Sequence, residues 1–148
     1  SDPGDQTMKP TLAALSIAAA IGLAGPAFAA DLTLAFTGIE TPKGVLMVAL
    51  LDSEAAYQGE GQPVRALRLD VNGPTASTVV KDLAPGRYAI KMFHDIDGDG
   101  ALQTNPFGSP IEPYAFSNNA PAHLGPPAWA KASFDLPEQG ASQTISVR

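Results

Sequence analysis

The residues best equipped for chemistry fall in one run, His94-Asp95-Ile96-Asp97-Gly98-Asp99-Gly100-Ala101-Leu102. Carboxylates at alternate positions, then a glycine, a backbone carbonyl at Ala101 and an apolar residue, follow the opening of an EF-hand calcium loop. Calcium is a hard cation that takes about six to eight oxygens. Alternate residues of a tightly curled loop can point inward together, with Gly100 allowing the bend and Leu102 anchoring the loop to the core. Asp95, Asp97 and Asp99 repel one another unless a cation sits between them. The sequence therefore predicts a calcium site built from Asp95, Asp97, Asp99 and the Ala101 carbonyl.

The EF-hand match then stops. Pro106 stands where that loop places its last, bidentate glutamate, and residues 86–93 read as a strand rather than a helix. Remaining ligands must come from elsewhere, with Gln103, Asn105, Glu112, Asn118 and Asn119 as candidates. Glu112 is favoured as the only other carboxylate of the long segment. Magnesium suits such a flexible oxygen cage less well than calcium, whereas a lanthanide would fit. A plain polar turn competes with this reading, since turns favour Asp and Gly.

Other chemistry is less well supported. His94 and His123 are the only histidines. They could join the aspartates in a zinc or copper site, or His94 could act as a general base oriented by Asp95 or Asp99. A strand-end and a loop histidine with structural roles are the commoner case. No Gly-x-Ser-x-Gly elbow is present, Ser109 and Ser117 have no nucleophile context, and Gly59-Glu60-Gly61 is too short for a phosphate loop. Tyr114, Phe116 and Trp129 could line a sugar or peptide groove, although such aromatics more often pack a loop.

The elements that must position this run are short strands. Leu32, Leu34 and Phe36 alternate with Thr33, Ala35 and Thr37. Val45 to Leu51 is apolar on both phases, as in a strand at a sheet centre. Val64–Val71, Ser77–Leu83 and Tyr88–Phe93 follow, then runs marked by Ala132, Phe134 and Leu136 and by Ile145 and Val147. Asn72-Gly73-Pro74 and Ala84-Pro85-Gly86 are strong turns. Asp52-Ser53-Glu54 could cap one helical turn through Gln58. The pattern predicts an all-β fold, a seven-stranded antiparallel β-sandwich, with residues 94–129 as one long ordered loop across its end.

Composition and the first thirty residues bound the setting. The chain has 148 residues, 45% of them apolar and 16% charged, with 14 Gly, 14 Pro, no Cys and a formal charge of −6. Nine Lys and Arg scattered along it form no patch for phosphates, which argues against nucleic-acid binding. Without Cys there is no disulfide, thiol nucleophile or thiolate metal site. Residues 1–7 read as a scar left by cloning. Residues 8–29 read as a secretory signal peptide: Met8-Lys9-Pro10, the apolar run Thr11–Leu23, and the Ala27-Phe28-Ala29 cleavage site. That run is short of the roughly 20 residues a membrane span needs. The expected product is one periplasmic or secreted domain over residues 30–148, with no membrane span. In that compartment a weak calcium site can stay filled.

Leu83-Ala84-Pro85-Gly86-Arg87-Tyr88-Ala89-Ile90, His94-Asp95 and Asp99-Gly100-Ala101-Leu102 resemble the DUF2141 family of secreted bacterial proteins. So do Asn105–Glu112, Tyr114–Ala120, Gly44-Val45 and Ala132-Ser133-Phe134. That family commonly has Asp-x-Asn-x-Asn-Gly followed by a Leu-Asp pair. Here Asp97 and Asp99 add charge, Gln103 replaces the second Asp, and Pro113 and Ala115 replace glycines. The resemblance implies an immunoglobulin-like or prealbumin-like sandwich and no particular reaction. The expectation is thus a non-catalytic calcium-binding module with an interaction surface for a periplasmic protein or saccharide. Two alternatives stand: an enzyme using His94 and a loop carboxylate, or a structural or adhesion accessory domain.

Overall fold

The computed structural model describes residues 29–102, 106 and 111–147. Residues 1–7, read as a cloning scar, nearly all of residues 8–29, read as a signal peptide, and Gln103, Asn105 and Ser109 lie outside the described residues. Among the described residues, no helix is long and apolar enough to cross a membrane.

The fold is all-β, in two sheets. A three-stranded sheet has the order β4-β1-β8, from β1 (Ala30–Thr37), β4 (Ala76–Leu83) and β8 (Ala141–Ser146). A five-stranded sheet runs β3-β2-β5-β6, from β2 (Val45–Leu51), β3 (Arg65–Asp70), β5 (Gly86–Asp95) and β6 (Tyr114–Phe116), with β7 (Phe134–Leu136) paired to the start of β5. One hydrophobic core joins them: Leu32, Leu34 and Phe36 of β1 meet Leu46 and Val48 of β2 and Ile90 of β5. These are the inward phases of alternating strands, as the period-two pattern requires.

The structure corrects the expected strand layout in two ways. Among the described residues there are eight strands, because β6 forms inside the segment read as loop. Its three residues carry too little alternation to stand out, and it exists because β5 offers Lys91, Met92 and Phe93 as ladder partners. The layout is also not purely antiparallel, since β8 runs parallel to β1, from Leu32 opposite Ala141 to Thr37 opposite Ser146. Parallel pairing depends on where the chain returns, which no local pattern encodes. The long segment is further divided by a 3-10 turn at Ser117–Asn119 and a helical turn α2 at Trp129–Ala132. Ala132, read with Phe134 and Leu136 as a strand run, ends α2 instead. The one helical turn expected from the sequence forms as α1 (Glu54–Tyr57), where the Ser53 hydroxyl accepts the Ala56 N–H at 3.1 Å.

The face of the five-stranded sheet turned away from the core positions the site. Register places side chains across it in rows. Leu51 and Ala89 form one row, covered by Tyr57 of α1 and by Ala132 and Trp129 of α2. The next row is Ala66–Ala49–Lys91–Phe116, and the one after is Arg68–Met47–Phe93–Tyr114. The last is Asp70–Val45–Asp95. Successive rows are two residues, or about 6.6 Å, apart.

Candidate metal centre

Asp95 is the last residue of β5, and the chain curls back on itself immediately beyond it. The Asp95 carboxylate organises that curl. Its Oδ1 accepts the N–H groups of Gly98 at 3.0 Å and Asp99 at 3.2 Å, and its Oδ2 accepts that of Gly100 at 2.7 Å. Asp97 Oδ1 accepts the Asp99 N–H at 3.3 Å, and Asp99 Oδ1 accepts the Ala101 N–H at 2.9 Å. Gly98 and Gly100 have φ of +73° and +79°, the left-handed region that side chains disfavour. Aspartates and glycines at this spacing thus do two things: they satisfy the backbone of the curl and gather carboxylates on its inside.

Glu112 arrives from the other arm. The β5–β6 ladder continues past Phe93 opposite Tyr114, with the His94 N–H donating to the Pro113 carbonyl at 2.8 Å. One residue on, Glu112 Oε2 accepts the Ile96 N–H at 2.7 Å. Asp95, Asp97, Asp99 and Glu112 each place one carboxylate oxygen within 4.8 Å of the others, with Asp95 and Glu112 buried and Asp97 and Asp99 exposed. Such a cluster could hold a metal ion. Opposed oxygens at about 2.3–2.6 Å from a calcium ion are separated by no more than about twice that distance, so the spacing suits one coordination sphere.

The electrostatics show the crowding. Burial pushes the Asp97 carboxyl above the ordinary aspartate range, and its contact with Asp95 and the charges of Asp99 and Glu112 push the same way against the Asp99 N–H. Burial also pushes Asp95 up. The Gly100 N–H, the Asp97 side chain and the N–H groups of Asp99 and Gly98 outweigh it, leaving Asp95 below its usual value. Asp95 is therefore the committed carboxylate, and Asp97 is the one that resists carrying charge beside it.

Of the residues singled out in the sequence, Asp95, Asp97, Asp99 and Glu112 come together. Ala101 is exposed at the end of the curl and gives its N–H to Asp99. Asn118 and Asn119 do not join. Asn118 Nδ2 donates to the carbonyls of Lys131 and Ser133, and Asn119 Nδ2 to that of Thr144. Both adopt positive φ, so they staple the 3-10 turn to α2 and β8. Ser117 is equally structural: its hydroxyl accepts the Ile90 N–H and donates to the Ala132 carbonyl.

His94 and the cluster are separated by alternation along β5. Asp95 faces outward with Phe93, whereas His94 is buried on the inner phase with its Nε2 2.7 Å from the Lys43 carbonyl. The cluster contains neither His94 nor His123. Trp129 packs edge-on against Tyr57, with ring centroids 5.8 Å apart.

One positioning residue was missed. Gly44 has φ +76°, and a Cβ there would lie 2.3 Å from the Asp95 carbonyl oxygen and 2.7 Å from that of Ile96. Only glycine lets the β1–β2 connection pass this close beneath the curl. The His94 contact to Lys43 fixes the same connection from below. A glycine heading the Val45–Leu51 run was the available signal.

A family model described as "Uncharacterized protein conserved in bacteria (DUF2141)" matches residues 34–145, and the chain belongs to that family. No curated protein and no solved structure matches the chain.

Proposed function

We propose that this DUF2141 protein is an exported binding module that takes one calcium ion in the Asp95–Glu112 cluster. The carrying observation is the convergence of four carboxylates from both arms of one excursion, two of them buried. Buried carboxylates held this close are costly unless a cation or a proton intervenes. A hard divalent ion relieves that repulsion at neutral pH. The Ala101 carbonyl and water would complete the shell, since calcium takes more oxygens than the four side chains offer singly. The ion would hold Asp95–Leu102 and Glu112 in one arrangement, on a sandwich of immunoglobulin-like or prealbumin-like layout. The apolar run and Ala-x-Ala site of residues 8–29 support export, to a compartment where a weak site can fill.

Titration calorimetry and thermal melting test this reading. Calcium at millimolar concentration should give a one-site isotherm and raise Tm by mass action, and chelator should reverse both. Absence of heat together with an unchanged Tm overturns it. Equal binding by Asp99→Asn would show that the Asp99 charge does not contribute to the site.

A further inference from the structure

Between the covered end of the outer sheet face and the acidic cluster lies a groove of about 560 Å³, within the roughly 300–1,000 Å³ of small-molecule sites. Its floor is Ala49 and Met47 of β2 with Lys91 and Phe93 of β5. Tyr114 and Phe116 of β6 form one wall. Apart from the Lys91 ammonium and the Tyr114 hydroxyl, the side chains of the described lining residues are apolar. Leu102 reaches the groove from the end of the curl and is 37% exposed. An apolar concavity of this size on a sheet face is unusual unless something occupies it.

Lys91 gives the groove a direction. Its ammonium donates to the Tyr57 carbonyl and lies 4.3 Å from the centroid of the Tyr57 ring. Among the described residues Arg87 pairs with Asp135, and Lys91 has no carboxylate partner. An ammonium has three donors, so the Tyr57 carbonyl leaves capacity for another oxygen. The Tyr57 phenol is committed to the Pro127 carbonyl at 2.6 Å and supplies no counter-charge. At the far end, Asp95 lies four residues, or about 13 Å, along the same face of β5. The potential therefore runs from positive at Lys91 to negative at the acidic cluster.

We propose that this groove binds a single-chain amphiphile with an anionic head, of the alkanoate class. Its head sits on Lys91 Nζ and its chain runs over Met47 and Phe93 toward Tyr114 and Leu102. Charge complementarity selects the head at the Lys91 end: a cationic head there would be repelled by Lys91, and an anion placed the other way round would face the carboxylates. A sugar would leave most of its hydroxyls against hydrocarbon without partners. Burial lowers the Lys91 pKa, as expected of an ammonium short of water, which a counter-ion would relieve. The inference does not depend on the metal reading.

The test uses the full chain in chelator, so that failure of calcium binding leaves it unaffected. Dodecanoate, dodecanol and dodecyltrimethylammonium are titrated below their micelle concentrations. Dodecanoate should bind one site at least about tenfold more tightly than dodecanol, which lacks the charge, in line with a hydrogen bond to a charged group. Lys91→Met should erase that preference and keep dodecanol binding, whereas Ala49→Phe should block all three. With methyl-labelled methionine, the Met47 signal should shift on adding dodecanoate. This measurement needs no variant to fold. No dodecanoate binding, a Met47 signal that does not move, or a preference that survives Lys91→Met would overturn the proposal.

Discussion

Glu112 reaches across the end of the β5–β6 ladder to take the Ile96 N–H on its Oε2 at 2.7 Å, so one side chain both latches the acidic curl and charges it. The two roles separate by substitution. Glu112→Gln keeps an acceptor for Ile96 but removes a charge. Without calcium it should hold or raise Tm, since one of the mutually repelling charges is gone, and it should weaken calcium binding by about tenfold or more, because ligand charge count tunes such sites. Glu112→Ala removes both, leaves the Ile96 N–H without this acceptor, and should cost about 1–3 kcal/mol of stability. Denaturant unfolding beside calorimetry reads the two effects separately. Equal calcium affinity in Glu112→Gln would remove Glu112 from the ligand set.

Gly44 predicts a contrast among glycines. Gly98→Ala and Gly100→Ala place a side chain at positive φ but in open space, so each should cost about 1–2 kcal/mol. Gly44→Ala adds a Cβ at 2.3 Å from the Asp95 carbonyl oxygen, where backbone must move. It should destabilise by more than either of the others and also weaken calcium binding, since the displaced backbone carries Asp95. Thermal unfolding of the three variants, with and without calcium, checks the order.

The legibility of this protein follows the range of the interactions involved. Leu32, Leu34 and Phe36 could be read as one face because alternation is local, and Ser53 could be read as part of a cap because it acts on Ala56 three residues away. The aspartate curl was legible for the same reason: Asp95 bonds Gly98, Asp99 and Gly100 within five residues. Glu112 was favoured only as the remaining carboxylate of the segment, and the ladder that delivers it, β6 against β5, left no periodic trace. The parallel β1–β8 pair and the approach of Gly44 to Asp95 join residues roughly 50 or more positions apart. Nothing in a local window records such pairings. Val45–Leu51 shows the opposite ambiguity. Its doubly apolar pattern correctly placed β2 inside its sheet, but half of its outer phase floors a groove rather than a second core.

Two buried phenols predict a loss of stability at alkaline pH. Tyr57 donates to the Pro127 carbonyl at 2.6 Å, and Tyr88 donates to the Ala84 carbonyl. Burial raises the pKa of both, and Asp52 adds to the rise at Tyr88 against a smaller opposing effect of Arg65. The folded state therefore holds these protons more tightly than the unfolded chain, whose phenols ionise near pH 10. Their contribution to stability is complete below that pH and is lost as pH climbs from it through the raised folded values. Ultraviolet titration should show Tyr57 and Tyr88, of three tyrosines, ionising late and together with unfolding. Tyr57→Phe should weaken that alkaline loss.

The acidic cluster and the groove share strands, which predicts coupling between them. Phe93 and Tyr114 face each other across β5–β6 in the groove, and two residues beyond them the same strands lead to Asp95 and Glu112. Leu102 closes the curl and also touches the groove. A calcium ion that fixes the curl should fix these three side chains too, so calcium should tighten dodecanol binding, and dodecanol should tighten calcium binding by the same factor. The neutral alcohol is the right probe, because calcium precipitates the alkanoate. A factor of about five or more is expected, at the lower end of common couplings. Leu102→Ala should reduce it while leaving calcium affinity without dodecanol nearly unchanged. Equal dodecanol affinity with and without calcium would show that the two sites are independent neighbours on one sheet.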